Sequence, residues 1–95
     1  MNITRRDIFE AGYITSLAVY EHFGELSHEL DRLCLHPGMP TDKKDTILQL
    51  SAQASSLKES QSQGVDLRSF ARFTSELDPL LAWFAGLPLD DEVES

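Results

Sequence analysis

The chain has 95 residues, of which 41% are hydrophobic, and a formal net charge of −8. This length suits one domain with a modest core, and the acidic charge excludes direct binding of a nucleic-acid backbone through a basic patch. The single cysteine excludes an internal disulfide, and no segment approaches the roughly 20 apolar residues needed to span a bilayer. We expect a cytoplasmic protein that does not insert into a membrane.

The first predicted helix runs from about residue 5 to about residue 34. Thr4 is a suitable N-cap, and Asp7 lies in the first turn, near the positive end of the helix dipole. Apolar and small residues recur at three- and four-residue spacings, within an arc of about 80°. They are Ile8, Gly12, Thr15, Val19, Phe23, Leu26, Leu30 and Leu33. Because this stripe keeps its phase across Gly24, we expect one continuous helix, which ends at the proline-rich segment from His36 to Pro40.

The second predicted helix spans residues of about 42 to 60, with a weaker apolar stripe. The third spans residues of about 67 to 85 and has Asp66 as its N-cap. It carries the richest apolar face, which consists of Phe70, Phe73, Leu77, Leu80, Leu81 and Phe84. Pro79 lies inside this helix and predicts a kink or a split, because it lacks a backbone donor and clashes with the preceding turn.

These elements predict an all-α fold, a small antiparallel three-helix bundle within residues 1–89. A chain this short buries only about 60 to 65% of its unfolded surface, so we expect dimerisation to complete the core. Residues 90–95 contain four acidic residues and no basic ones, which predicts a flexible acidic tail.

Three histidines and the cysteine lie close together in the sequence, at His22, His28, Cys34 and His36. On one helix, positions six residues apart point about 120° away from each other, so His22, His28 and Cys34 cannot converge on one ion without a break in the helix. We expect neither a metal nor another cofactor.

Motifs of catalysis are also missing from the sequence. There is no G-x-S-x-G elbow, glycine-rich phosphate loop, H-E-x-x-H or C-x-x-C. Cys34 and His36 lie two residues apart at a helix end, with nothing to orient the imidazole. We therefore expect a protein that is not an enzyme.

The stretch from Ala11 to Tyr20 contains no charged residue and lies between Glu10 and Glu21. Tyr13, Ile14 and Leu17 project from the side opposite the predicted core stripe, within an arc of about 100°. A helix with an apolar face on each of two sides has to pack against a neighbouring element on both sides. The second face is buried either by the remaining helices of the same chain or by another protein, which is a second copy or a foreign protein. The small size of the domain favours another protein. The predicted partner-binding residues on this helix are Tyr13, Ile14, Leu17 and Tyr20.

Trp83 is a second predicted anchor, because it lies opposite the apolar face of the third helix. One interpretation is that the kink at Pro79 turns Trp83 into the core, or that its ring covers the stem of Arg72. The other is an exposed aromatic anchor beside arginines, the residue types common in binding hot spots.

These observations predict a small acidic helical adaptor or inhibitor that occupies a surface of a larger protein, as a homodimer. The alternative function is an inhibitor of phage or plasmid type whose acidic side chains imitate nucleic acid and block a basic groove. Its candidate surface consists of Glu21, Glu25, Glu29 and Asp31, although Arg32 interrupts this set.

Overall fold

The computed structural model describes residues 1–90 and confirms the predicted all-α fold. This part of the chain contains four α-helices and one 3-10 turn, and it has no strand. They are α1 (Arg5–Val19), α2 (Phe23–Cys34), α3 (Thr41–Ser60), the 3-10 turn (Gln61–Gln63) and α4 (Leu67–Ala85). The most extensive packing joins α2 to α3, and α1 contacts both α2 and α4. Residues 91–95, most of the predicted acidic tail, lie outside the described residues.

The prediction of one continuous helix over residues 5–34 is wrong, because the chain turns between Tyr20 and His22. Glu21 adopts a left-handed backbone conformation with φ of 58°. The Glu21 amide donates to the Ala18 carbonyl at 3.2 Å, and the His22 amide donates to the Leu17 carbonyl at 2.9 Å. This pair of hydrogen bonds is a Schellman motif, which satisfies the last carbonyls of α1 and lets α2 start in a new direction.

Core packing explains why this turn is needed. The buried residues of α1 are Ala11, Ile14, Leu17 and Ala18, and those of α2 are Phe23, Leu26, Leu30, Leu33 and Cys34. If the helix were continuous, these two faces would point about 140° apart at 100° per residue. One core can bury both only if the chain is reoriented between them.

Gly24 lies in the first turn of α2 and does not break the helix. A Cβ atom at this position would lie 3.3 Å from the side-chain atoms Cδ, Cε and Nζ of Lys58. The absence of a side chain at Gly24 therefore makes room for the aliphatic stem of Lys58 from α3.

Three serines join α2 to α3 at close range. Ser51 is buried, and its hydroxyl donates to the Asp31 carboxylate at 2.7 Å. The Ser27 hydroxyl oxygen lies 3.0 Å from the hydroxyl oxygens of both Ser51 and Ser55. Small side chains allow the two helices to approach, and mutual hydrogen bonding satisfies the polar groups that the contact buries.

Helix α4 continues through Pro79 without a split. Its N-cap is the predicted Asp66, whose carboxylate accepts hydrogen bonds from the Arg68 amide at 3.1 Å and the Ser69 hydroxyl at 2.8 Å. These bonds hold the pKa of Asp66 below its ordinary value. Most of the predicted apolar face is buried, with Phe73, Leu77 and Phe84 among the least exposed side chains of the core.

The two ends of the described chain are joined by an isolated parallel bridge between Ile3 and Leu89. The Ile3 amide donates to the Pro88 carbonyl at 2.9 Å, and the Asp90 amide donates to the Ile3 carbonyl at 2.8 Å. Ile3 is fully buried. Asp90, the first residue of the predicted tail, is therefore hydrogen-bonded to the N-terminal segment.

The turn at Glu21 leads to a stability prediction. A non-glycine residue in the left-handed region is strained by its Cβ atom, whereas glycine is not. We expect Glu21→Gly to raise the free energy of unfolding by about 0.5 to 1 kcal/mol in urea denaturation. Glu21→Ala keeps the Cβ atom and is the matched control, for which we expect no gain. Equal effects of the two substitutions would contradict a backbone origin.

Candidate functional site

The four residues predicted to bind a partner through the first helix are divided between core and surface. Ile14 and Leu17 are buried within the chain, whereas 45% of Tyr13 and 70% of Tyr20 is exposed. The reorientation at Glu21 lets α1 bury the face that was assigned to a partner. The structure therefore corrects the placement of Ile14 and Leu17, which pack in the core of the same chain.

The exposed aromatic side chains of α1 and of its C-cap residue form a row that we call the aromatic ridge, defined by Phe9, Tyr13 and Tyr20. Phe9 is not among the residues predicted from the sequence to bind a partner, although it is 81% exposed. At 100° per residue the three side chains fall within an arc of about 40° on the outer face of α1. The spacings of four and seven residues are the sequence signal for this ridge.

Tyr13 is held in place by the neighbouring helix. Its hydroxyl donates to the Glu25 carboxylate of α2 at 3.1 Å, and this bond, together with the negative charge, raises the pKa of Tyr13. Near the start of α1, Arg6 and Glu10 form an exposed ion pair at 3.5 Å. The ridge is therefore an apolar row with charged groups at its margin.

A second exposed apolar surface lies between α1 and α4, and we call it the α1–α4 groove. The exposed residues of its α1 side are Ile8, Gly12, Thr15 and Val19, which were assigned to the core from the sequence. Its α4 side includes Thr74, Asp78 and Ala82. Val19 is 66% exposed, so the predicted core stripe of α1 is wrong in this half of the chain.

Trp83 lies outside both surfaces. It is half-buried and packs against the core, and the Lys43 ammonium of α3 lies 4.8 Å from the centroid of its ring. A cation in this position is attracted to the electron-rich face of the indole. Trp83 thus makes contacts within the chain, and the structure does not bring it together with Tyr13 and Tyr20.

The four acidic residues of the alternative function do not form a row of free charges. Glu29 pairs with Arg32 at 3.2 Å, Glu25 accepts the Tyr13 hydroxyl, and Asp31 accepts the Ser51 hydroxyl. Glu25 and Asp31 point about 120° apart on α2. Only Glu21 lies apart from them, in the turn between α1 and α2.

A partly buried cluster of polar residues, Thr4, Asp7 and His36, joins the start of α1 to the loop after α2. The Asp7 carboxylate accepts the Thr4 amide at 2.9 Å, completing a capping box, and lies 3.0 Å from His36 Nε2. His36 Nδ1 lies 3.0 Å from the Pro37 carbonyl, and the imidazole packs edge-on against Phe84. Both ring nitrogens face acceptors, so the protonated imidazole, which donates from both, fits this site.

The pKa values of the two groups follow from these contacts. Burial favours the neutral imidazole, but the bonds to Asp7 and Pro37 and the charges of Asp7 and Glu10 outweigh it and raise the pKa of His36. Burial likewise acts to raise the pKa of Asp7, but the bonds from Thr4 and His36 outweigh it and lower that pKa. Because the buried Cys34 thiol points to the Lys44 carbonyl instead, it does not join this cluster.

This pair predicts how stability depends on pH. The stabilisation by His36 is complete below its ordinary pKa of 6.5 and is lost as the pH rises through the raised value, whereas that of Asp7 is lost as the pH falls below 3.8. We expect the free energy of unfolding in urea to decrease as the pH rises from 6.5 through the raised pKa of His36. His36→Gln keeps a donor but cannot titrate, so its decrease is expected to be smaller. The same decrease in both proteins would contradict the assignment.

Truncation of a core side chain and truncation of a ridge side chain are expected to change the free energy of unfolding by very different amounts. Leu17→Ala removes a buried side chain, and we expect a loss of about 2 to 4 kcal/mol in the free energy of unfolding. Tyr20→Ala truncates an exposed side chain three residues away and is expected to change it by less than about 0.5 kcal/mol. Thermal or urea unfolding followed by circular dichroism measures both, and a larger loss at Tyr20 would reverse the assignment.

Within residues 1–90, no group of three or more histidine, cysteine or acidic side chains is arranged to hold a metal ion. Among the helices of the same residues, none combines the length and apolarity needed to cross a bilayer.

No protein-family model, curated protein or solved structure matches this chain.

Proposed function

We propose that this chain is a small protein-binding adaptor or inhibitor, which acts without catalysis by placing the aromatic ridge against a larger protein. The observation that carries the proposal is the exposure of Phe9, Tyr13 and Tyr20 on one face of α1, at 81%, 45% and 70%. We further propose that it acts in the cytoplasm, where the single thiol of Cys34 stays reduced.

Transfer of these three rings from water to a protein interface is favourable, because burying apolar surface lowers the free energy. Since an aromatic side chain buries about 150 to 250 Å², the exposed fractions of the three rings offer about 400 Å² of surface to a partner. An apolar patch of about 300 to 600 Å² on a small protein is often functional. Aromatic side chains are also enriched among the few residues that dominate binding energy.

The ridge is also preorganised for binding. The capping box of Thr4 and Asp7 closes one end of α1, and the Schellman motif at Glu21 closes the other. The bond from Tyr13 to Glu25 restricts one of the three rings. Less conformational entropy is lost on binding when the helix and the side chain are already ordered.

The apolar ridge supports this function better than nucleic-acid mimicry. Mimicry needs rigidly spaced free carboxylates, whereas Glu29 is paired with Arg32, and Asp31 is turned towards Ser51. The two functions also differ in how binding depends on salt. Binding through apolar side chains changes little with ionic strength, and binding of a basic groove by carboxylates weakens steeply.

The proposal predicts that the ridge can be removed without unfolding the chain. In capture from a lysate of the native host followed by mass spectrometry, we expect the double variant Phe9→Ala and Tyr20→Ala to retain less than about a tenth of the partner held by the unmodified chain. Circular dichroism is expected to show unchanged helicity.

The matched control is the double variant Leu48→Ala and Leu67→Ala, which truncates exposed apolar side chains on α3 and α4. We expect it to capture the partner like the unmodified chain. Equal capture by the ridge variant would overturn the proposal. A complex that dissociates steeply as salt is raised, with the ridge variant still bound, would support nucleic-acid mimicry instead.

A further inference from the structure

The exposed apolar and small side chains of α1 span an arc that is too wide for a single partner helix. The centre of the aromatic ridge and the centre of the strip formed by Ile8, Gly12, Thr15 and Val19 lie about 110° apart around the helix axis. A helix buries a stripe of about 100° against one neighbour. A partner on the ridge therefore leaves the α1–α4 groove uncovered.

The side of the groove formed by α1 is self-complementary in size. The order is large, small, small, large, at Ile8, Gly12, Thr15 and Val19, and the spacings of four, three and four residues read the same in reverse. Two such helices placed antiparallel bring small residues opposite small ones and large residues opposite large ones. This symmetry is what an isologous interface between identical chains requires.

Gly12 adds an independent observation. It lies inside α1, where glycine is less favourable than alanine. A Cβ atom at Gly12 would meet no atom of the described chain within 4 Å, so no neighbour in this part of the chain requires the glycine. Glycine at this position leaves space for the close approach of an outside helix.

We propose that a second copy of this chain occupies the α1–α4 groove. The two α1 helices lie antiparallel about a two-fold axis between Gly12 and Thr15. In this arrangement Gly12 faces Thr15 of the partner subunit, and Ile8 contacts Val19 of the partner subunit.

The size of the groove agrees with a dimer of modest affinity. From Ile8 to Val19 the helix rises about 17 Å, and two helices side by side are about 20 Å wide. Two faces of this size hide about 700 Å² in total, which is less than the roughly 1,000 Å² of a stable interface and fits a weak, transient dimer. We therefore expect a dissociation constant in the micromolar range.

Such a dimer leaves both aromatic ridges exposed, because they point away from the groove. It would present two binding surfaces to a partner, and two linked sites bind more tightly than one when both engage. Dimerisation itself does not depend on the proposed function of the ridge, since Phe9 and Tyr20 lie outside the groove.

Sedimentation equilibrium between about 1 and 500 µM tests the proposal, because this range brackets a micromolar dissociation constant. We expect the unmodified chain to pass from monomer to dimer. Gly12→Leu blocks the close approach, and Val19→Glu places a charge against Ile8 of the partner subunit. We expect each to raise the dissociation constant at least tenfold.

Both substitutions are at exposed positions, so we expect the monomers to keep their helicity. Leu48→Glu introduces a charge at an exposed leucine of α3 and is the matched control, with an unchanged dissociation constant expected. The ridge variant Phe9→Ala and Tyr20→Ala is also expected to dimerise normally, which separates this proposal from the preceding one.

Asp78 distinguishes a second copy from a foreign occupant. It is an exposed carboxylate that lies midway along the groove, and a dimer brings two of these charges nearer to each other. We expect Asp78→Asn to lower the dissociation constant of the dimer several-fold. A chain that stays monomeric up to 500 µM, or that dimerises equally well with Gly12→Leu and Val19→Glu, would overturn the proposal.

Discussion

The left-handed turn at Glu21 decides which face of α1 meets the core. It ends one helix and starts another within three residues, so that α1 and α2 bury faces that would point apart on a continuous helix. Ile14 and Leu17 enter the core as a result, while Val19 and the aromatic ridge remain outside. The two surfaces that we propose for binding are therefore consequences of one backbone reversal.

Several contacts between distant parts of the chain support this arrangement. Asp7 and His36 connect the start of α1 to the loop before α3, and Ile3 pairs with Leu89. Ser51 contributes a hydroxyl to the packing of α3 against α2. Each contact closes a long segment of chain, which matters in a protein of this size because its core alone supplies little net stability.

The distribution of charge separates the faces of the molecule. Helix α2 exposes Glu25, His28 and Arg32, whereas α1 exposes no charged side chain between Glu10 and Glu21. Charged side chains keep a surface hydrated, and their absence lowers the free energy needed to cover it. Docking on α1 is thus less costly than docking on α2, and this difference underlies both proposals.

The amino-acid sequence by itself determined the elements whose signals are local. The all-α class, the capping by Thr4 and Asp66, the last helix at Leu67–Ala85 and the burial of Phe73, Leu77 and Phe84 follow from caps, spacing and stop signals. Only the tertiary structure decided the break at Glu21, because glutamate carries no local signal for a left-handed turn. It also decided which side of α1 is buried. Periodicity defines the angles between residues on a helix, but a helix that is apolar on two faces is oriented by the neighbours against which it packs.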